Sequence, residues 1–269
     1  MTSVSITLPQ FAERAEQMLE VAVAAEELGL DGVFLVDHLV PLGHPTRPVL
    51  ELAASLGAVA ARTRTIRVGS LVLRAPLRGP ELSAQVAATA SAMAPERVIM
   101  ALGAGDAATR DEVSRFGLAA ESLDVRLGVL EATVGAIRRS APEVPVWIGG
   151  RHRRVLALAG RLADGWNRWA GSPDDLPAGR PLLGAVPPDF TVSWGGTVVL
   201  GVDQTAVDRL LAGRPSGDEV LAGTPDRVAA VLAGYVRAGA THLVLSLLPR
   251  GTEVVRLFVD EVRPRLPAT

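Results

Sequence analysis

The sequence predicts an α/β protein, a (β/α)8 barrel built by a single domain over residues 1–269. Three observations point there. Short apolar strand candidates alternate with segments of helical period, the turns between them are brief, and eight strands fit a length close to the about 250 residues usual for this barrel. An open, doubly wound sheet is the alternative that the pattern by itself leaves standing.

The elements follow in order. Residues 4–8 alternate apolar and polar and end at Pro9, as a half-buried strand does. Phe11, Ala15, Met18, Ala22 and Ala25 then recur at helical spacing, and Gly29 closes that helix. After the Asp31-Gly32 turn, Val33 to Val36 is a second strand; Val49 to Ala61 is a helix and Ile66 to Leu73 a third strand. Pro80 suits the first turn of a helix reaching Met93, and Arg97 to Leu102 is a buried fourth strand. Leu123, Leu127, Leu130, Val134 and Ile137 trace one helical face before a fifth strand, Val144 to Ile148. A helix over Val155 to Leu162 precedes a sixth strand at Ala163 to Asn167. Residues 171–188 are rich in Pro and Gly and read as loop, a shortened region between strands six and seven. Thr191 to Leu200 is strand seven, Pro225 to Ala238 a helix, and His242 to Leu247 strand eight.

Composition narrows the chemistry. A formal net charge of −2 offers no basic field for nucleic acid or anionic membrane. Residues 1–10 lack a basic, apolar leader, and no apolar run reaches the about 18 residues of a membrane span, so a soluble, cytoplasmic protein is expected. There is no cysteine, which removes disulfides, thiolate nucleophiles and thiolate-bound metals. There is also no lysine: all 27 basic residues are arginine, which removes Schiff-base chemistry and a phosphate-loop lysine. What remains is histidine, carboxylates, hydroxyls, backbone dipoles or a cofactor.

In a parallel barrel the functional groups gather at the carboxyl ends of the strands. Strand two ends in Asp37-His38, a carboxylate and an imidazole that could relay a proton or equally form an Asx turn beside a solvated histidine. Strand three carries Gly69-Ser70-Leu71, where small residues admit a flat ligand or simply fit a crowded wall. Strand four ends in Gly103-Ala104-Gly105-Asp106, which lacks the third glycine of a dinucleotide fingerprint but brings flexible backbone and a carboxylate to the same rim. Strand five ends in Gly149-Gly150-Arg151 ahead of a helix, a phosphate cradle or an arginine-rich solvated turn. His38, His44, His152 and His242 have no metal-ligand spacing, so no metal is expected, and no Gly-x-Ser-x-Gly marks a serine hydrolase.

Taken together, these segments resemble the bacterial luciferase-like monooxygenase family, and within it the branch that uses the deazaflavin coenzyme F420. The resemblance rests on segments in family order: Ala25 to Phe34, Asp37-His38-Leu39, Arg64 to Leu73 with Arg78-Gly79-Pro80, Arg97 to Asp106, Trp147 to Gly150, Ala163 to Asn167, and Ala222 to Pro225. It implies a barrel binding F420 or, alternatively, FMN, a small-molecule substrate, and a homodimer. It also implies that His38 donates or accepts the proton, that Asp37 orients it, and that Asp106 is an acidic group near the cofactor. A non-prolyl cis peptide is implied near Ser70-Leu71, and Gly149-Gly150 with Arg151 would hold the phosphate end. Gly79 stands where many relatives have histidine, and no tryptophan closely follows Asp37-His38 as in the sugar-phosphate dehydrogenase members, two departures that count against glucose-6-phosphate oxidation. Two rivals differ in kind: an FMN monooxygenase served by a separate reductase, and a cofactor-less barrel kept as a binding protein.

Overall fold

The computed structural model describes residues 2–11, 14–41, 48–106, 109–212 and 220–267. His44 and most of the loop over 39–47 lie outside them. Eight strands close a parallel barrel: β1 (Ser3–Thr7), β2 (Gly32–Leu35), β3 (Arg67–Arg74), β4 (Val98–Gly103), β5 (Val146–Gly149), β6 (Gly165–Trp169), β7 (Thr191–Leu200) and β9 (His242–Leu248). Each pairs in parallel with its neighbour, β6 meets β7, and β9 lies between β7 and β1, so no open edge is left among these eight. That closure excludes the open-sheet alternative.

Helices α1 (Ala15–Glu27), α2 (Leu52–Arg62), α3 (Ala75–Met93), α5 (Leu123–Ser140), α6 (Arg153–Leu162) and α9 (Pro225–Arg237) follow the predicted sites within a few residues. α3 starts before the predicted Pro80, and its chain breaks at Gly79, where φ is 71°. The short α4 (Arg110–Arg115), α8 (Gln204–Leu211), strand β8 (Val220–Gly223) and α10 (Thr252–Leu257) were not foreseen. β8 pairs with residues 197–200 of β7, above the stretch that β6 occupies.

The loop expected over 171–188 is corrected: Asp175–Leu183 forms a helix, α7. Its Pro and Gly content misled because those residues serve packing here. Pro177 sits in the first turn, where a missing N–H costs nothing. A Cβ at Gly160 of α6 would lie 1.7 Å from the Leu183 carbonyl oxygen, so the two helices meet at backbone distance. The region is still short, with nine residues of helix between β6 and β7.

Two apolar layers follow from strand alternation. Side chains such as Val4, Ile6, Val33, Leu35 and Met100 face the helices in one extended core. Phe34, Leu71, Ile99, Ala101, Trp147 and Val244 fill the barrel interior. Phe34 stacks on Trp147 with centroids 5.7 Å apart, and the His242 ring lies edge-on to Trp147 at 5.1 Å. His242 Nε2 meets the Ser5 hydroxyl at 2.7 Å, and burial, with Arg67 adding to it, pushes this imidazole down to about 3. His242 is therefore a neutral core residue, and the barrel floor is sealed. Among the described residues no helix is long and apolar enough to cross a membrane.

Below the strands, Glu26 at the end of α1 holds the turn into β3. Its Oε1 accepts the backbone N–H groups of Arg64, Thr65 and Ile66 at 2.6–2.9 Å, and the Thr65 hydroxyl at 3.1 Å. Burial would raise its pKa, but those donors outweigh burial and hold it below 4.5. A lowered carboxyl contributes stability that is present above 4.5 and lost as pH falls through the native value. Glu26→Gln is expected to cost about 1 kcal/mol in urea unfolding at pH 7. The difference from wild type should narrow as the pH is taken below 4.5; a pH-independent difference would contradict the charge-based account.

Candidate active site

The carboxyl-terminal rim is assembled by the segments that follow the strands, and its first anchor is a glutamine. Gln10, after β1, is 1% exposed. Its side chain donates to the carbonyls of Val36 (2.9 Å) and Leu50 (3.0 Å) and accepts the Val36 N–H at 2.5 Å. This fixes the chain as it leaves β2, just before Asp37 and His38.

Asp37 and His38, adjacent in sequence, have separate partners. Asp37 is 4% exposed and its Oδ2 accepts the Arg74 N–H at 2.9 Å. The Arg78 guanidinium straddles the same carboxylate, at 2.5 and 3.0 Å, and also reaches Glu51. Burial would lower the pKa of Arg78, yet Asp37 first and Glu51 second hold it raised. The implied pairing of Asp37 with His38 is thus corrected. The carboxylate at His38 Nδ1 is that of Glu112, 3.3 Å away on α4.

Glu112 is the centre of the rim. Its side chain is 4% exposed, and Arg74, 7% exposed, binds it through both terminal nitrogens at 3.2 and 2.9 Å. Oε1 also accepts the backbone N–H groups of Leu39 and, at 3.3 Å, Val40. Burial pushes the carboxyl up, but the Leu39 N–H, then the Arg74 charge, then His38 hold it below the usual carboxylate range. One carboxylate therefore ties the loop after β2, the end of β3 and the loop after β4. Neither Glu112 nor Arg74 stood out in the sequence. The one signal was a charged residue closing the apolar run Leu71-Val72-Leu73, which demands a buried partner.

Two strand-three candidates are placed in the wall. A Cβ at Gly69 would sit 2.1 Å from the Ile99 carbonyl oxygen, so glycine is required by the approach of β4, not by a ligand. The Ser70 hydroxyl is fully buried and donates to Ala101 O at 2.8 Å. Leu71 caps the interior cluster. The Leu71–Val72 peptide is cis, and the β3–β4 register shifts between Ser70 and Leu73. Val72 is partly exposed and rises over β4 and β5: a Cβ at Gly103 or Gly149 would fall 2.5 or 2.6 Å from its methyl groups.

After β4, Gly105 takes φ 70°, and Arg126 from α5 donates to the carbonyls of Ala104, at 3.1 Å, and Gly105. Asp106 is exposed at the same rim as His38, its Oδ1 accepting the Thr109 N–H at 3.1 Å. After β5, the Gly150 N–H is used on Asn167 O and its carbonyl takes the Trp166 indole N–H. His152 Nδ1 caps α6 by accepting the Arg154 N–H. The expected glycine cradle therefore reduces to exposed guanidinium groups, Arg151 and Arg153, neither in an ion pair with a described residue. Arg74 Nε and Arg126 Nε are buried donors without a partner among the described residues. Cationic groups, two unsatisfied buried donors and an apolar floor at Val72 fit a planar ligand with an anionic tail. A concavity lined by Thr7, Phe11, Val36, Ser246 and Arg250 opens between β1, β9 and the helices α1 and α10, and the ring centroids of Phe11 and His38 are 6.1 Å apart.

Comparison with known proteins was consistent with this geometry. Residues 2–215 match the family described as luciferase-like monooxygenase. An F420-dependent glucose-6-phosphate dehydrogenase of Nakamurella multipartita is 32% identical over 185 residues, covering 60% of this chain and 54% of the relative. The matched segment thus spans about half the length of that relative. A protein of the same description from Beutenbergia cavernae is 27% identical over 322 aligned positions, covering 96% of this chain and 95% of the relative. Among solved structures, an F420-dependent secondary alcohol dehydrogenase in complex with an F420-acetone adduct superposes with a TM-score of 0.84 at 20% identity, covering 99% of both chains.

The Arg74–Glu112 pair also makes the rim sensitive to substitution. Removing one partner of a buried pair strands the other charge. Arg74→Met is expected to lose about 3–5 kcal/mol in denaturant unfolding. A loss below about 1 kcal/mol, the range of a surface pair, would mean that Glu112 is not buried as described.

Proposed function

The chain belongs to the luciferase-like monooxygenase family, and on that premise we propose that it is an oxidoreductase binding coenzyme F420 at the carboxyl-terminal rim. The bound coenzyme would supply hydride chemistry for a small organic carbonyl, alcohol or activated alkene. The observation that carries the proposal is His38: its ring is 22% exposed at the rim, Nδ1 is held by a carboxylate, and Nε2 has no partner among the described residues. An imidazole so placed can give or take a proton at Nε2. Asp37 keeps Arg78 and the Arg74 backbone in place around it. Val72 and Leu71 offer an apolar backing for a ring, with Gly105 and Asp106 at its edge. Arg151 and Arg153 beside Gly149 and Gly150 are suited to the anionic tail. The concavity by Phe11 brings two hydroxyls, Thr7 and Ser246, and the Arg250 guanidinium to an otherwise largely apolar wall, groups that could orient a small polar substrate.

Fluorescence quenching should show the purified protein binding F420 and discriminating against FMN. His38→Ala should retain that binding while turnover falls by about 10²- to 10⁴-fold, the usual worth of a positioned acid or base. Preference for FMN would replace the coenzyme assignment, and unchanged turnover in the variant would remove His38 from its role.

The same reading includes a homodimer. Residues 52–61 of α2 and 82–93 of α3 include no charged side chain. A Cβ at Gly57 of α2 would lie 3.7 Å from the Met93 side chain of α3, and on this pair of helices Leu82 is 64% and Met93 45% exposed. Such a face is apolar enough to cover against a second copy. Light scattering should give twice the 28.1 kDa chain mass, and Leu82→Arg should return the chain mass; a monomeric wild type would contradict the proposal.

A further inference from the structure

We propose that Glu112 is the positioning residue for His38, fixing the neutral imidazole as its Nδ1–H tautomer and so making Nε2 the atom that exchanges the proton. The proposal rests on the reading of His38 as the proton donor and acceptor and adds what sets that residue's state. Two carboxylates stand near His38, and among the described residues only Glu112 bonds to its ring. Asp37 faces other donors, the Arg74 N–H and the two ends of the Arg78 guanidinium. Glu112 Oε2 is the acceptor 3.3 Å from Nδ1.

Donors and acceptors around Glu112 decide the tautomer. Arg74 binds Glu112 through both terminal nitrogens, and Leu39 and Val40 bring their N–H groups to Oε1. A carboxylate facing four donors is held ionised, and an ionised carboxylate can only accept. The hydrogen in the contact with His38 must then be on Nδ1. In neutral histidine the second nitrogen is bare, so the lone pair is on Nε2, which has no partner among the described residues. Release of the Nε2 proton from the imidazolium to a substrate oxygen leaves the Nδ1–H form, with its bond to Glu112 intact; uptake at Nε2 reverses this. The ring need not rotate or change tautomer during the cycle.

Rigidity comes from the same contacts. Glu112 is the third residue of the six-residue α4, and its hold on the two amides after His38 fixes the backbone that carries the ring. Arg74, at the end of β3, anchors the carboxylate to the barrel wall. His38 is thereby positioned from a strand, not from a free loop.

The test reads the tautomer directly. A long-range ¹H–¹⁵N spectrum of the coenzyme-free, ¹⁵N-labelled protein is recorded at a pH where His38 is neutral, its signals assigned with His38→Gln. The wild type should show a protonated Nδ1 and a bare Nε2. Glu112→Gln should show a mixture of tautomers, and its kcat with F420 should fall by about 10- to 100-fold, part of the whole contribution of a positioned acid or base, with the coenzyme KM changed less than about threefold. A wild-type His38 protonated on Nε2 overturns the proposal whether or not the variant folds. So does a Glu112→Gln enzyme with wild-type kcat. Failure of the wild type to bind F420 would instead sink the coenzyme reading, while the spectrum would still decide the tautomer.

Discussion

A buried carboxylate draws the rim together. Glu112 lies among groups that no apolar packing would hold: the Arg74 guanidinium, two loop amides and the His38 ring. Ionising a carboxyl out of water is costly, and the cost is met here only because every near neighbour is a donor. That makes the arrangement cooperative. Removing any member leaves another charge or amide without a partner, so the loops after β2 and β4 keep their relative positions or lose them together. Arg78 repeats the device one layer out, binding Asp37 and Glu51 and so linking the start of the β2–α2 connection to the cap of α2.

The interior below enforces the location of the chemistry. Phe34, Trp147, Ile99 and Val244 fill the barrel, and His242 is a core imidazole bonded to Ser5. Polar chemistry in that space would need water or charges that the packing excludes. Reactivity is confined to the top, where Val72 stands between an apolar floor and a cationic rim. On the proposed reading the chemistry is the cofactor's, and this chain would contribute placement, a proton site and the exclusion of solvent from beneath.

How legible this was depended on whether a residue's role is set locally. β7 was readable at its observed bounds because the alternation around Val192 and Trp194 and the run Val198-Val199-Leu200 need no distant information. The helix α7 was not, because Gly179 looks like loop until the Trp166 ring and the Leu156 side chain of α6 are seen to lie against it. Gly69 and Ser70 carry the letters of a ligand-binding wall, yet the space at Gly69 belongs to the Ile99 carbonyl of the next strand. Glu112 sits in the polar run Arg110-Asp111-Glu112, where a buried carboxylate and a solvated one are written alike. Its role is decided by Arg74, 38 residues earlier, and by the folding back of α4 over the rim. Asp37 was rightly singled out as a rim carboxylate, but adjacency to His38 suggested a contact that the backbone directs elsewhere.

The central claim is that Glu112 pins the chain that carries His38. Amide hydrogen exchange at Leu39 and Val40 addresses it without any ligand. Both amides should exchange as slowly as those of strand β2 in the wild type and lose that protection in Glu112→Gln. Exchange in the wild type at the rate of an unprotected loop peptide would contradict the claim.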